Sequence, residues 1–568
     1  MRAHVWAPFA STVACSVGGL DVAMEPRDDG WWEGPPLEHG QDYGFVVDGT
    51  GPLPDPRSPR QPHGVHGLSQ AFDTDAFPWT DSEWRGRDAR GAVFYELHVG
   101  TFTADGTLDA AARELPRLAA TGIEIVELMP IAPMPGTRGW GYDGVSLYAV
   151  YEEYGGPAAL LRFVDAAHAA GLGVALDVVY NHLGPDGNYL SKFGPYLTGA
   201  HHTPWGEAIN LDQPLSVHVR RFLADNALRW FRDFHVDVLR LDAVHAFRDD
   251  SATHFLAQLS AETAALSTKL DRPLSLVAES DLNDPAMVTP LAEGGLGQTA
   301  QWADDVHHAL HTYLTGERDG YYSDFGSIET LDHVYRHVFL HDGRWSSFRN
   351  QLWGQPVPDA MDRRRFVVYA ANHDQVGNRA RGDRPSATLT PGAQAASLAM
   401  VLLSPFTPLL FQGEEYGETR PFPFFSDHAG ELGRAISKGR LAEFQSHGWG
   451  GGALPPDPQD PVTFASAKLD RSAQGKINDA LRTWLAEVMA VRPFTLEPDA
   501  WARHPVSVTE RAARQLTMTG PVLVHVNLSS EPVAYKGRPA AVFGDVTTEG
   551  AGFTLQPDAV ALVVAKEP

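Results

Sequence analysis

In Gly173-Val-Ala-Leu-Asp-Val-Val-Tyr-Asn-His182 an almost unbroken apolar run gives way to two polar residues. Such a run reads as a strand of a parallel sheet covered on both faces. A helical pattern precedes it: Leu160, Val164 and Ala167 recur at helical spacing, and Gly171 closes the run. The same texture repeats outward in both directions. Candidate strands are Phe94–Thr101, Ile123–Met129, Gly173–Tyr180, Val236–Asp242, Leu274–Glu279, Thr299–Asp304, Phe366–Asn372 and Pro408–Gln412. Val219, Phe222, Leu223, Ala227, Trp230 and Phe234 form an apolar stripe on an intervening helix. Eight strands alternating with helices predict an α/β fold, a TIM (β/α)₈ barrel with insertions, over residues 86–490. The longest insertion, from Asn181 to about Pro214, reads as an active-site loop.

Residues 1–85 lack that texture. Val13-Ala-Cys-Ser-Val17, Trp31-Trp32 and Tyr43-Gly-Phe-Val-Val47 with the turn Asp48-Gly49 predict an N-terminal β-sandwich, immunoglobulin-like as in glucan-binding modules. A proline-containing linker follows, roughly Leu53 to His66. Strand patterns return without helices from about Phe494, clearest in Val522–Leu528 and Ala559–Val564, and predict a C-terminal antiparallel β-domain over 491–568.

Composition narrows the function classes. The net charge of −26 over 568 residues repels phosphate backbones and argues against nucleic acid as a partner. The single cysteine, Cys15, excludes an intramolecular disulfide and reads as a strand-core residue. The first residues lack the apolar core of a signal peptide, and the longest apolar stretch, Ala395–Leu403, is too short to span a bilayer. The expectation is a cytoplasmic protein with no membrane partner.

Strand ends carry the chemistry of a TIM barrel. Here the third strand runs into Asn181-His182, the fourth into Arg240-Leu-Asp242-Ala-Val-His245, the fifth into Glu279-Ser280 and the seventh into Asn372-His373-Asp374-Gln375. Each has a plainer reading singly: an Asp after a strand usually caps the next helix, and a lone Glu or His is usually solvated or locally satisfied. Four such groups at four strand ends reinforce one another. They place Asp242, Glu279 and Asp374 around one opening, where paired carboxyls can do acid–base and nucleophilic work.

These stretches resemble the signatures of the α-amylase family of glycoside hydrolases, in family order: Asp177–His182, Asp237-Val-Leu-Arg-Leu-Asp242, Ala278-Glu279 and Asn372-His373-Asp374. The resemblance implies that Asp242 is the nucleophile, that Glu279 is the acid and then the base, and that Asp374 binds ring hydroxyls. Retaining enzymes hold the two acting carboxyls about 5–5.5 Å apart. It further implies substrate contacts from Arg240, His182, His373, Gln375 and Asn378. Tyr142, in Trp140-Gly-Tyr142-Asp143, is similar to the family's stacking tyrosine. A narrower set is similar to the maltooligosyltrehalose trehalohydrolases: Phe193-Gly-Pro-Tyr196, His202-Thr-Pro-Trp-Gly206, Asn210-Leu-Asp212, Ala243–Asp250, Asp304-Asp-Val-His-His308, Tyr321–Asp324 and Pro421–Phe425. That family releases trehalose from maltooligosyl trehalose, and its metabolic partner is the matching synthase. Under it His245, Asp305, His307 and His308 are candidates for the leaving-group side. No cofactor and no metal are expected; Asp186 and Asp212 lie near the third-strand loop without a dense oxygen cluster. The alternatives are a glycogen branching or debranching enzyme of the same family, and a glucan-binding scaffold on a dead barrel. The second would be expected to have lost a carboxylate.

Overall fold

The computed structural model describes residues 1–447, 454–472 and 475–566. At its centre eight parallel strands close into a barrel: β1 (Phe94–Leu97), β2 (Ile125–Leu128), β3 (Gly173–Val178), β4 (Val238–Leu241), β5 (Ser275–Ala278), β6 (Ala300–Trp302), β7 (Phe366–Tyr369) and β8 (Thr407–Phe411). Each pairs with the next, and β8 returns to β1. Each overlaps one of the eight runs read from the sequence. The strands are shorter than the runs because the last residues of each run leave the ladder to form the rim.

Strand alternation sorts the interior into layers. Phe94, Ile125, Ala175, Val238, Val277, Ala300, Trp302, Val367, Tyr369 and Leu409 pack together in an apolar plug. Two residues further along, on the same inward face, stand Glu96 on β1, Glu127 on β2, Asp177 on β3 and Arg240 on β4. The barrel is therefore dry below and charged above. The outward residues pack on helices such as Gly156–Ala169 and Ser216–Asp233, whose buried residues include Leu160, Val164, Phe222 and Trp230.

The insertion after β3 carries a hairpin, Leu197–Thr203 paired with Gly206–Ile209. A second hairpin, Arg344–Ser346 with Gln351–Trp353, lies between β6 and β7 and was not expected from the sequence. Two antiparallel sheets precede the barrel, one built on Arg2–Trp6 and Trp31–Pro36, the other on Val13–Val17 and Asp42–Val47. Cys15 is buried in the second. They pack on the barrel's insertion, with Trp6 against Tyr196 and His218 and Phe45 against Phe193. Arg57 in the linker reaches Tyr148 Oη and Asp225, each at 2.9 Å. The chain ends in a five-stranded and a three-stranded antiparallel sheet. The expectation of no helix after Phe494 is corrected at its edge: two single-turn helices, Pro493–Leu496 and Ala500–Arg503, precede the sheets. Pro493 suits a first helical turn, where its missing N–H costs nothing. No helix among the described residues is long and apolar enough to cross a membrane.

Candidate active site

Arg240 organises the mouth of the barrel. Its side chain is fully buried, and Nη1 lies 2.7 and 2.8 Å from the two oxygens of Asp177 and 2.8 Å from Asp242 Oδ1. Nη2 is 3.0 Å from Glu279 Oε2. One guanidinium thus touches carboxyls from β3 and from the ends of β4 and β5, a planar donor set that a lysine could not provide. The second oxygen of Asp242 accepts from Asn181 Nδ2 at 2.6 Å. Ala243, next in the chain, has φ of 40°, in the left-handed region that non-glycine residues rarely adopt. That turn aims its N–H at Glu279 Oε2, 2.7 Å away. With Oε2 so occupied, Oε1 is the oxygen left to carry a proton. Burial, helped by the charges of Asp242 and Asp374 and opposed by Arg240, pushes the Glu279 carboxyl up to about 8.

Asp374 opens the short helix His373–Gly377, capped by the Asn372 side chain at 2.7 Å from Gln375 N. The seventh-strand signature therefore forms a helix start as well as a site. Asp374 meets Asn378 Nδ2 at 3.2 Å and His373 Nε2 at 3.4 Å. The Tyr142 hydroxyl donates to Asp177 Oδ2 at 2.6 Å and lies 2.7 Å from His373 Nε2, and its ring stacks on His373. His182 is fixed by the Tyr142 carbonyl at 2.8 Å and by the Asn181 side-chain oxygen. Burial lowers its pKa, opposed by the charge of Asp242.

The cleft above these groups, about 620 Å³, is lined by Tyr142, His182, Asp242, His245, Glu279, His373, Asp374 and Asn378. Two recesses open from it. One, about 560 Å³, is rich in rings: Trp140, Tyr142, His182, Trp205, Phe424 and Phe425. The other, about 260 Å³, shares Asp374 and Asn378 with the cleft and adds Asp281, Asp305, His308, Tyr321, Phe348, Arg349 and Gln375. His307 stands apart from the other candidates. It lines neither recess nor the cleft; both ring nitrogens are engaged, by the Ala370 carbonyl and by Tyr322 Oη. Asp305 borders the second recess, yet one of its oxygens collects the N–H groups of Leu340 and His341 and the Asn283 amide.

Sequence reasoning gave no role to several lining residues, although Trp205 and Tyr321 fall within stretches that carried the narrower resemblance. Trp205 is half exposed and stacks on His182 at 4.6 Å between ring centroids. Arg440 and Glu443 enter the cleft from the helix Gly430–His447, Tyr321 from the 3-10 turn Gly320–Tyr322, and Phe348 and Arg349 from the loop of the second hairpin. None lies at a strand end, so the rule that found the carboxylates could not find them. Glu96 and Glu127 did carry a signal, an acid inside an otherwise apolar strand. His201, Asp212 and Asp250 bring their ligand atoms within 4.8 Å of one another, a set that could hold a cation by composition. Asp212 is already engaged there by His201 Nε2 at 2.9 Å and Asp250 N at 3.0 Å. Asp186 lies elsewhere, 3.0 Å from His66.

A closed parallel barrel whose mouth seats Asp177, Asp242 and Glu279 on one arginine defines a glycoside hydrolase of the α-amylase class. The model of the alpha-amylase catalytic domain matches residues 74–196. A crystal structure of an assigned alpha amylase from Salmonella typhimurium superposes with a TM-score of 0.89 at 34% identity, over 100% of this chain and 97% of that one. A malto-oligosyltrehalose trehalohydrolase of Arthrobacter ramosus is 49% identical over 99% of both chains. Another, from Rhizobium sp. strain M-11, is 52% identical over 83% of this chain and 80% of its own. The chain belongs to the malto-oligosyltrehalose trehalohydrolase family.

Proposed function

We propose that the protein hydrolyses the α-1,4 bond next to the terminal trehalose unit of maltooligosyl trehalose, releasing trehalose and a maltooligosaccharide. Asp242 attacks the anomeric carbon while Glu279 gives its proton to the departing oxygen. The glycosyl–Asp242 ester is then opened by a water that Glu279 deprotonates, and the configuration is retained. Arg240 and Asn181 occupy both oxygens of Asp242 and aim the carboxylate. Asp374, His182, His373 and Tyr142 surround the same sugar.

The observation that carries this reading is the second recess. The chemistry of two carboxyls would cut any α-1,4 chain, so selectivity must come from the leaving-group side. Asp281, two residues beyond the proton donor, borders that recess, which supports reading it as the leaving-group side. Trehalose is a bent, non-reducing disaccharide, and Asp305, His308, Arg349 and Gln375 offer polar partners within walls of Tyr321 and Phe348. The ring-lined recess suits the apolar faces of the remaining glucose chain. A branching enzyme needs an acceptor chain on that same side, and the family membership favours the hydrolase.

The test is kcat/KM on maltotriosyl-trehalose against maltopentaose. A preference of about a hundredfold is expected, since each polar group left unpaired costs about 1–3 kcal/mol. Equal values, or iodine-detected branching of amylose, overturn it. This reading also places the protein in the cytoplasm, after a synthase that converts a maltooligosaccharide end to trehalose. It divides the chain at about residues 85 and 490.

A further inference from the structure

The charged layer of the barrel holds an acid that the two-carboxyl chemistry does not use. Glu96, buried in β1, accepts the main-chain N–H of His373 at 2.9 Å with Oε2 and meets ring Nδ1 of the same residue with Oε1. The other ring nitrogen, Nε2, faces Tyr142 Oη at 2.7 Å and Asp374 Oδ2 at 3.4 Å. The polarity of these bonds follows from the partners. Asp177 takes Arg240 Nη1 on both oxygens and acts as an acceptor, so the Tyr142 hydroxyl is used as a donor toward it. Tyr142 can then only accept from His373, and Nε2 carries a hydrogen. Nδ1 faces a carboxyl already accepting from the same residue's main chain and carries the other.

We propose that Glu96 is a positioning residue for hydrolysis: it fixes His373 as a doubly protonated ring that holds Nε2–H at the cleft between Tyr142 and Asp374. Such a ring can only donate: its Nε2–H goes to Tyr142 Oη, and its charge faces Asp374 Oδ2 at 3.4 Å. A neutral ring with that nitrogen bare would draw the Tyr142 hydrogen away from Asp177 and lose its attraction for Asp374. The proposal rests on the reading of the cleft as the hydrolytic site.

The groups around His373 agree with this. Glu96 faces it from β1, Glu127 from β2, Tyr142 from the loop beyond, Asp177 from β3, Arg240 from β4 and Asp374 from its own helix, with His98 past the end of β1. Burial works against the charged ring, but Asp374 and Glu96 outweigh it and Arg240 and raise the pKa to about 9. Glu127 does not compete for the positive charge. Burial, then the acids Glu96 and Asp177, hold it well above the ordinary carboxyl range, and neither of its oxygens has a partner among the described residues.

The first test uses the unaltered protein. Nitrogen NMR of the histidine rings, with His373 assigned by its loss in His373→Asn, should show both nitrogens protonated at pH 7; a single neutral tautomer overturns the proposal. The second is Glu96→Gln, which keeps the shape and removes the charge. On maltotriosyl-trehalose its kcat should fall about tenfold with little change in KM, and the second proton of the His373 ring, followed by nitrogen NMR, should be lost at least about one pH unit lower than in the parent. Glu96→Asp should restore it. In a His373→Asn background Glu96→Gln should cost nothing further. A Glu96→Gln enzyme whose His373 ring holds its second proton as tightly as the parent's overturns the proposal, and should that variant fail to fold, the ring state in the unaltered protein still decides. Loss of all activity in Asp242→Asn tests the hydrolytic reading separately.

Discussion

Asp242 and Glu279 share one guanidinium but need opposite proton states, and their surroundings differ accordingly. Asp242 accepts from Arg240 and Asn181, one donor on each oxygen. Glu279 accepts from Ala243 N–H and pairs with Arg240 through the same oxygen, Oε2, and its pKa is pushed up to about 8, first by burial. Asp242→Asn removes the nucleophile and Glu279→Gln the proton donor, and each should cut kcat at least about a thousandfold. Near-parent turnover by either variant would sink the mechanism. The raised pKa also makes a stability prediction. A carboxyl that holds its proton more tightly folded than unfolded contributes its full stability only below the unfolded pKa, about 4.3, and loses it as pH rises toward 8. Gln is neutral at every pH and escapes that loss. Glu279→Gln should therefore melt higher than the parent at pH 7, by roughly 2 °C or more, with the gap closing near pH 4. A parent that melts higher at pH 7 would show that Glu279 is not held protonated by the fold.

The elements that the sequence made legible are those whose position is set by local pattern. Continuous apolar runs such as Val174–Leu176 can only be covered on both sides, and the first polar residues past them stand at the rim. That logic located Asp242, Glu279 and Asp374 together; Tyr142, well past the end of the second strand, came only from its resemblance to the family's stacking tyrosine. It could not order the loops. His307 and His308 are adjacent on the helix Asp304–Thr315, but only His308 reaches a recess, because the helix's rotation decides which face looks inward. Trp205 and Arg349 depend on how two hairpins fold back over the mouth, and no spacing in the chain records that. The hairpin Leu197–Thr203/Gly206–Ile209 bears on metal dependence, since His201 lies on it and Asp212 just beyond. The two carboxyls leave no chemical step for a metal, so dialysis against EDTA should leave kcat and the melting temperature unchanged. A fall in melting temperature that Ca²⁺ reverses, absent in Asp212→Asn, would show that these residues hold an ion.

At the scale of the whole molecule the N-terminal sheets and the cleft meet through one segment. Trp6 and Phe45 pack on Tyr196 and Phe193, and the chain passes directly from Tyr196 into the hairpin that carries Trp205 over His182. Gly194 lets the two parts come this close: a Cβ there would lie 2.8 Å from the Trp6 ring. The linker adds a second tie, with Arg57 held by Tyr148 and Asp225 and lying over the Trp31, Tyr148 and Phe222 rings. Removing residues 1–85 would strip the cover from Phe193 and Tyr196 and expose apolar surface on the insertion, so the shortened chain should be insoluble or inactive. Trp6→Ala separates support from chemistry. Truncating a buried Trp costs about 3–5 kcal/mol, which should lower the melting temperature. Loosening the hairpin should raise KM for longer maltooligosyl trehaloses, which reach the ring-lined recess, more than for the shortest one. The pH profile should stay that of the parent, because Arg240, Asp242 and Glu279 are held by β3, β4 and β5. If the chain lacking residues 1–85 remained soluble with parent kcat and KM, the sheets would have no part in shaping the cleft.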